Sequence, residues 1–162
     1  MLDLVFTTDH FYIEQKSIVE RLTFNNRTFY SKFEKHAAPI SPILLEQHHN
    51  NTTSLAVPLV NNNFVDYIVI EYQQDDWSAF YSLVKHLLKT LDIQNFQAYK
   101  HHSKNLFQLF IPSKQTVLTE AYKEVENIKH LLQLKSKNSY KIYPNKHLPK
   151  NFNIITLPTQ KV

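Results

Sequence analysis

Two long segments of the chain repeat apolar residues at the i, i+3, i+4 spacing of an amphipathic helix. The first covers residues 77–91, and Asp75 or Asp76 just before it is a suitable N-cap. The second covers residues 116–134. Its apolar face consists of Leu118, Ala121, Tyr122, Val125, Ile128, Leu131 and Leu132. The pattern therefore predicts two helices that each pack one face against the rest of the protein.

Shorter apolar runs bounded by turn residues predict strands. The clearest pair is residues 20–24 and 27–33, which flank Asn25 and Asn26. Asparagine tolerates the positive φ that a two-residue hairpin turn requires, so these residues predict a β-hairpin. The remaining predicted strands are residues 2–6, 55–60, 64–72, 96–100, 106–111, 140–143 and 152–157.

From residue 64 onward the predicted order is strand, helix, strand, strand, helix, strand. This is the βαββαβ plan of the ferredoxin-like fold, in which two helices cover one face of an antiparallel sheet. The sequence therefore predicts an α+β protein with such a core over residues 64–157. A βαββαβ core supports many unrelated functions, so the fold alone decides little about activity.

The N-terminal third is less regular in pattern. Residues 11–19 leave two alternatives open, a short helix capped at Asp9 or another strand. Residues 37–42 predict a loop because they contain two prolines, and residues 43–48 predict one or two helical turns. We expect these elements to add strands and short helices to the core within a single domain of residues 1–162.

The composition excludes several classes of function. The chain has no glycine, which excludes the P-loop and the glycine-rich dinucleotide loop, and no cysteine, which excludes disulfides and thiol chemistry. No apolar run approaches the roughly 18 residues of a membrane span, and the N-terminus lacks signal-peptide features. We therefore expect a cytoplasmic protein without a membrane partner. Its richness in Asn, Lys, Ile, Phe and Tyr is typical of an AT-rich bacterial genome.

The net charge of +4 is unevenly distributed. Residues 1–97 contain seven basic and eleven acidic residues, whereas residues 98–162 contain eleven lysines and three glutamates. A basic half indicates a nucleic acid or another polyanion as partner. Lysine without arginine after Arg27 somewhat favours a solvated lysine-rich surface instead, because arginine is the residue that binds phosphates and bases bidentately.

Residues 64–112 contain two motifs of further interest. The apolar run 67–70 ends in Glu71-Tyr72-Gln73, and residues 100–108 read Lys-His-His-Ser-Lys-Asn-Leu-Phe-Gln before a short apolar strand and Pro112. This arrangement resembles the archaeo-eukaryotic primase–polymerase superfamily, and locally its ligase-associated bacterial polymerases. In that family a strand ends in Asp-x-Asp, and the second motif reads Lys-Thr-Ser-Gly-Gly-Lys-Gly-Leu-His, which aligns with residues 100–108 without a gap.

The resemblance implies a degenerate site. Nucleotidyl transfer needs two or three carboxylates that hold divalent metal ions. Glu71 stands at the first acid, whereas Gln73 replaces the second and Gln108 replaces the phosphate-contacting histidine. We therefore expect no catalytic residue, no metal and no cofactor. The residues that we expect to bind a nucleotide or nucleic acid are Lys100, Ser103, Lys104, Gln108, Glu71 and Gln73.

Simpler interpretations exist for the same residues. We expect Glu71 to be an edge carboxylate paired with a lysine. Adjacent histidines on a strand point to opposite faces, so His48-His49 and His101-His102 are expected in solvated loops rather than around a metal. The aromatic residues Tyr67, Tyr99, Phe107 and Phe110 could stack bases, although core packing is favoured.

Two functions follow from this pattern. The first is a non-enzymatic protein that binds nucleic acid or nucleotides through its basic C-terminal half. The alternative is a protein–protein adaptor with no nucleic-acid role. A third interpretation is a residual enzyme with remodelled chemistry. The position of the late lysines separates the first two. A single continuous basic face around residues 100–108 favours a polyanion, whereas dispersed lysines with an exposed aromatic patch favour a protein partner.

Overall fold

The computed structural model describes residues 3–137 and 139–162. The helices are α1 (Pro42–His49), α2 (Trp77–Thr90) and α3 (Leu118–Gln133). The strands are β1 (Phe11–Glu14), β2 (Glu20–Phe24), β3 (Arg27–Ser31), β4 (Phe33–His36), β5 (Leu55–Pro58), β6 (Val60–Asn61), β7 (Phe64–Tyr72), β8 (Gln97–His101), β9 (Leu106–Val117), β10 (Tyr140–Tyr143), β11 (Ile154–Thr156) and β12 (Gln160–Lys161).

The larger sheet has the strand order β10-β7-β9-β8-β12, with β6 paired to β7. Helix α2 connects β7 to β8, and α3 connects β9 to β10, so the predicted βαββαβ order is present and the α+β class is confirmed. Alternate side chains of β7 pack against the helices, since Ile68, Ile70 and Tyr72 share one core with Val84 and Leu87. The helices therefore cover one face of this sheet.

The other face of the larger sheet packs against a second, four-stranded sheet of order β11-β5-β1-β4. Tyr67 and Val69 of β7 form a common core with Phe11, Leu55 and Ile155 from the second sheet. The protein thus has three layers: helices, the larger sheet and the smaller sheet. The late strand β11 belongs to the smaller sheet, so the βαββαβ unit ends at Tyr143 rather than at residue 157.

The N-terminal third differs from the prediction at one element. The predicted strand at residues 2–6 is wrong for residues 3–6, which have no regular structure, and residue 2 lies outside the described residues. Phe6 instead packs its ring on Tyr67 at a centroid distance of 5.3 Å. The ambiguous segment 11–19 contains strand β1 and no helix. Helix α1 begins after Ser41, which caps it: the Ser41 Oγ accepts a hydrogen bond from the Leu44 N–H at 3.2 Å.

The predicted hairpin around Asn25 and Asn26 is confirmed, since both residues have positive φ and β2 pairs with β3. Asp76 occupies the N-cap position of α2, as predicted, but its side chain makes no capping hydrogen bond. Its Oδ1 instead accepts a hydrogen bond from the Tyr72 hydroxyl at 2.5 Å. Among the described residues, no helix is long and apolar enough to cross a membrane.

Candidate functional site

The side-chain alternation of the larger sheet separates the predicted site residues. Lys100 lies on the helix-covered face, where its ammonium group is 4.4 Å from the centroid of the Trp77 ring. Glu71 and Gln108 lie on the opposite face, toward the smaller sheet. Gln73 lies beyond the end of β7 and is exposed. The six residues therefore do not converge on one site.

Glu71 and Gln108 are direct neighbours on the central strands β7 and β9. The Gln108 amide Nε2 donates to Glu71 Oε2 at 2.7 Å and to the Thr156 carbonyl at 2.9 Å. Burial raises the pKa of Glu71, and the hydrogen bond from Gln108 counteracts part of that rise. The edge interpretation of Glu71 is wrong, because β7 lies between β10 and β9 and the hydrogen-bond partner of the carboxylate is an amide.

The turn between β8 and β9 is tied to the smaller sheet by Lys104. Its Nζ donates to Glu14 Oε2 at 2.5 Å and to Ser54 Oγ at 3.0 Å. Burial alone would raise the pKa of Glu14, but the hydrogen bond and charge of Lys104 lower it overall. Ser103 in the same turn donates from Oγ to Asn51 Oδ1 at 2.6 Å. Both side chains thus hold the turn in place.

His48 lies in the last turn of α1 and is buried, so the prediction that it lies in a solvated loop is wrong. Its Nδ1 accepts the Leu55 N–H at 3.0 Å, which leaves the proton on Nε2, and Nε2 donates to the Leu157 carbonyl at 2.8 Å. Burial lowers its pKa. With both nitrogens bound to the backbone, His48 connects α1, β5 and the C-terminal segment as a neutral side chain.

His101 is also buried, which contradicts the solvated-loop prediction a second time. Its Nδ1 accepts the N–H groups of Ser103 at 3.3 Å and Lys104 at 3.2 Å. Its Nε2 has no hydrogen-bond partner within the described part of the chain, and its ring meets the His48 ring edge-on at 5.2 Å. Desolvation lowers the pKa of His101 to about 4. The ring is therefore neutral at physiological pH.

The other predicted groups have simpler surroundings. His49 and His102 are exposed, with ring centroids 5.5 Å apart. Residues 3–137 and 139–162 contain no group of three or more His, Cys, Asp or Glu side chains that could hold a metal ion. The core interpretation of the aromatic residues is confirmed, since all four are buried: Tyr67, Tyr99, Phe107 and Phe110.

A cleft of about 810 Å³ lies beside this region. Four parts of the chain form it: the irregular segment before β1, helix α1 with the loop before it, Val57 of β5, and the C-terminal segment 157–161. Its apolar wall consists of Leu4, Phe6, Ile40, Leu45, Val57 and Leu157. A concave, mainly apolar surface of this volume is typical of a binding site.

Acidic and basic side chains also line the cleft. His48 contributes to the wall, and exposed side chains include Glu46, His49 and Lys161. Lys161 forms an ion pair with Asp3 at 3.1 Å. Both Gln160 and Lys161 belong to β12, the edge strand of the larger sheet, so the cleft is bounded by a strand that pairs on one side only among the described residues.

Sequence reasoning missed this cleft because its walls are far apart in the chain. The one local signal was the run of apolar residues around Leu4 and Phe6, which predicted a strand. That these residues form a cleft with α1 and the segment 157–161 depends on how the two sheets pack, and local sequence periodicity carries no information on that packing.

Comparison with known proteins adds one family match. Residues 2–66 match the family model described as Domain of unknown function (DUF1882). The matched region contains β1 to β6, α1 and most of the apolar wall of the cleft, whereas the C-terminal wall lies outside it. No curated protein matches the chain.

Proposed function

We propose that the protein is a non-catalytic adaptor that binds an extended apolar segment of a partner protein in the 810 Å³ cleft. The observation that carries this proposal is the position of the cleft beside the edge strand β12. A partner segment that adds to a sheet edge gains main-chain hydrogen bonds, while neighbouring pockets accept its alternate side chains. The apolar wall supplies such pockets.

The polar side chains near the predicted site are hydrogen-bonded within the protein, and this supports a binding function over a catalytic one. The Glu71 carboxylate accepts from Gln108, and Lys104 is bound to Glu14. Both nitrogens of His48 are bound to the backbone. Groups held in this way are poorly placed to transfer protons or to coordinate a substrate. The relationship to primase–polymerases stays a prediction from the resemblance of residues 64–112.

The surroundings of the late lysines support a protein partner over a polyanion. Four of these lysines pair with carboxylates, and the pairs are spread over separate elements. The pairs are Lys104 with Glu14, Lys123 with Glu120, Lys146 with Glu126 and Lys161 with Asp3. Because each of these four lysines is paired with an acid, they present less net positive charge to a polyanion.

The test is recovery of a partner from nuclease-treated lysate of the source organism, with two variants on α1. Leu45 lines the cleft, whereas Ile43 is exposed on the same helix and does not line it. We expect the wild type and Ile43→Gln to recover the same protein, and Leu45→Gln to recover less than about a tenth as much, because it places an amide in the apolar wall.

A photo-crosslinking residue at position 45 should attach to that partner, and one at position 43 should not. Recovery that depends on nucleic acid would contradict the proposal. Equal recovery by Leu45→Gln and Ile43→Gln would also contradict it, because the partner would then bind outside the cleft.

A further inference from the structure

The hairpin β2–β3 forms a separate two-stranded sheet. The register pairs Arg21 with Tyr30 and Thr23 with Thr28, and alternate residues of paired strands lie on one face. These four side chains are all exposed, and Lys32, directly after β3, is exposed as well. We call this surface, made of Arg21, Thr23, Thr28, Tyr30 and Lys32, the arginine face of the hairpin.

The opposite face of the hairpin is apolar at its centre. Leu22 pairs with Phe29, and the rings of Phe24 and Phe29 lie 6.4 Å apart. Phe29 also borders a groove of about 410 Å³ together with Phe152 and Ile154 from the body of the protein. The hairpin is therefore amphipathic. Tyr30 and Lys32 of its polar side also line this groove, whereas Arg21, Thr23 and Thr28 do not.

Charge distinguishes the arginine face from the rest of the surface. Arg21 and Arg27 are the two arginines of the whole chain, and both belong to this hairpin. The arginine face contains no carboxylate, since Glu20 alternates onto the apolar side with Leu22. Arg27, at the tip, pairs with Phe24 and so lies on the apolar side, 5.5 Å from the centroid of the Phe29 ring. Neither arginine forms an ion pair among the described residues, unlike the late lysines that pair with acids, whereas the charge of Lys32 helps to lower the pKa of Glu14, which lines the same groove.

We propose that the hairpin binds double-stranded DNA through the arginine face together with Arg27 at the hairpin tip. A two-stranded ribbon fits the major groove of B-form DNA, which is about 12 Å wide. Arginine contacts phosphates and guanine edges bidentately, and threonine and tyrosine hydroxyl groups bond to phosphates. The proposal places DNA on the N-terminal hairpin, whose residues do not line the cleft, and it is independent of the proposed adaptor function.

The test measures fluorescence anisotropy of a labelled DNA duplex of about 20 base pairs, at salt concentrations from about 50 to about 200 mM. The hairpin variant carries Arg21→Gln, Arg27→Gln and Lys32→Gln. The matched control removes three exposed charges from the C-terminal half, by Lys129→Gln, Lys135→Gln and Lys137→Gln. Thermal denaturation of each variant checks that it is folded.

We expect the hairpin variant to raise the Kd at least about tenfold and to lower the log–log salt slope by about two to three, since each lost phosphate contact removes about 0.9. The control should change the Kd less than about threefold. Leu45→Gln, which tests the cleft, should bind DNA as the wild type does. If the hairpin variant unfolds, the single substitution Arg21→Gln should still raise the Kd about threefold.

Three results would overturn the proposal. One is the absence of wild-type binding to the duplex at about 50 mM salt. Another is an equal loss of affinity in the hairpin variant and the control, which would assign binding to diffuse charge. The third is tighter binding of single strands than of duplexes. A wild-type dimer in sedimentation that becomes a monomer in the hairpin variant, without DNA binding, would assign the ribbon to a second copy of the chain.

Discussion

Asparagine residues occupy positive-φ positions that glycine occupies in most proteins. With no glycine in the chain, positive φ occurs at Asn25, Asn26, Asn51, Asn62 and Asn63. Asparagine is the next most tolerant residue there, because its short side chain bonds to the local backbone. The predicted turn at Asn25 and Asn26 is one of these positions, and the same property of asparagine explains the others.

The buried neutral histidines make stability depend on pH at the residue scale. His101 has a pKa of about 4 in the folded protein, below its ordinary value of 6.5. Between pH 6.5 and pH 4 the unfolded chain therefore binds more protons at this residue than the folded protein does. The contribution of His101 to the free energy of unfolding is fully present above pH 6.5 and is lost as the pH falls toward about 4. His48, whose pKa is also lowered, acts in the same direction.

We therefore expect the melting temperature of the wild type to fall by about 5 °C or more between pH 7 and pH 4. His101→Gln should flatten this dependence, and His130→Gln, at an exposed position, should leave it unchanged. Glu14, with its lowered pKa, adds to the loss at the acid end, whereas Glu71, with its raised pKa, opposes it. An unchanged slope in His101→Gln would contradict the assignment.

At the scale of elements, periodic patterns predicted structure well where one face is buried. Strand β7 has the predicted bounds, and α2 ends one residue before the predicted end. The pattern misled at residues 3–6, because Leu4 and Phe6 alternate as in a strand but pack against the core between the two sheets and line the cleft without a strand partner. Alternation reports which side chains are buried, not whether the backbone is paired.

The helix assignment leads to a prediction on α2. Leu87 is 2% exposed and packs in the core between α2 and the larger sheet. Leu87→Ala removes buried methyl groups and leaves a cavity, so we expect a loss of about 2–5 kcal/mol in the free energy of unfolding. Lys89→Ala on the exposed side of the same helix should cost less than about 0.5 kcal/mol in urea denaturation.

Lys100→Ala should also have a small effect, of about 1 kcal/mol or less, since it removes one cation–π contact with Trp77. If Leu87→Ala and Lys89→Ala lowered stability equally, the orientation of α2 against the sheet would be wrong.

At the scale of the whole molecule, the smaller sheet covers the face that carries Glu71 and Gln108. The Thr156 carbonyl of β11 accepts a hydrogen bond from Gln108, and Lys104 bonds to Glu14 of β1. The residues that correspond to a nucleotidyl-transfer site in the resemblance thus lie at the contact between two layers. Their hydrogen bonds connect the layers instead of facing an open groove.

We therefore expect the purified protein to show no templated or untemplated nucleotide addition in the presence of Mg²⁺ or Mn²⁺. A carboxylate bonded to an amide and covered by a second sheet is a poor ligand for the metal pair that this chemistry needs. The measurement is extension of a labelled primer by the wild type and by Glu71→Ala. Sustained extension by the wild type that is lost in Glu71→Ala would contradict this expectation.

The sequence by itself determined the α+β class, the βαββαβ order, the long helices and the asparagine turns. Each of these depends on residues that are close in the chain, where period and backbone tolerance act. Only the tertiary structure decided that β11 joins the smaller sheet, that His48 and His101 are buried, and that distant segments enclose the cleft. These features depend on contacts between distant residues, such as His48 with Leu157, 109 positions apart, and Asp3 with Lys161, 158 positions apart, and no local pattern encodes such contacts.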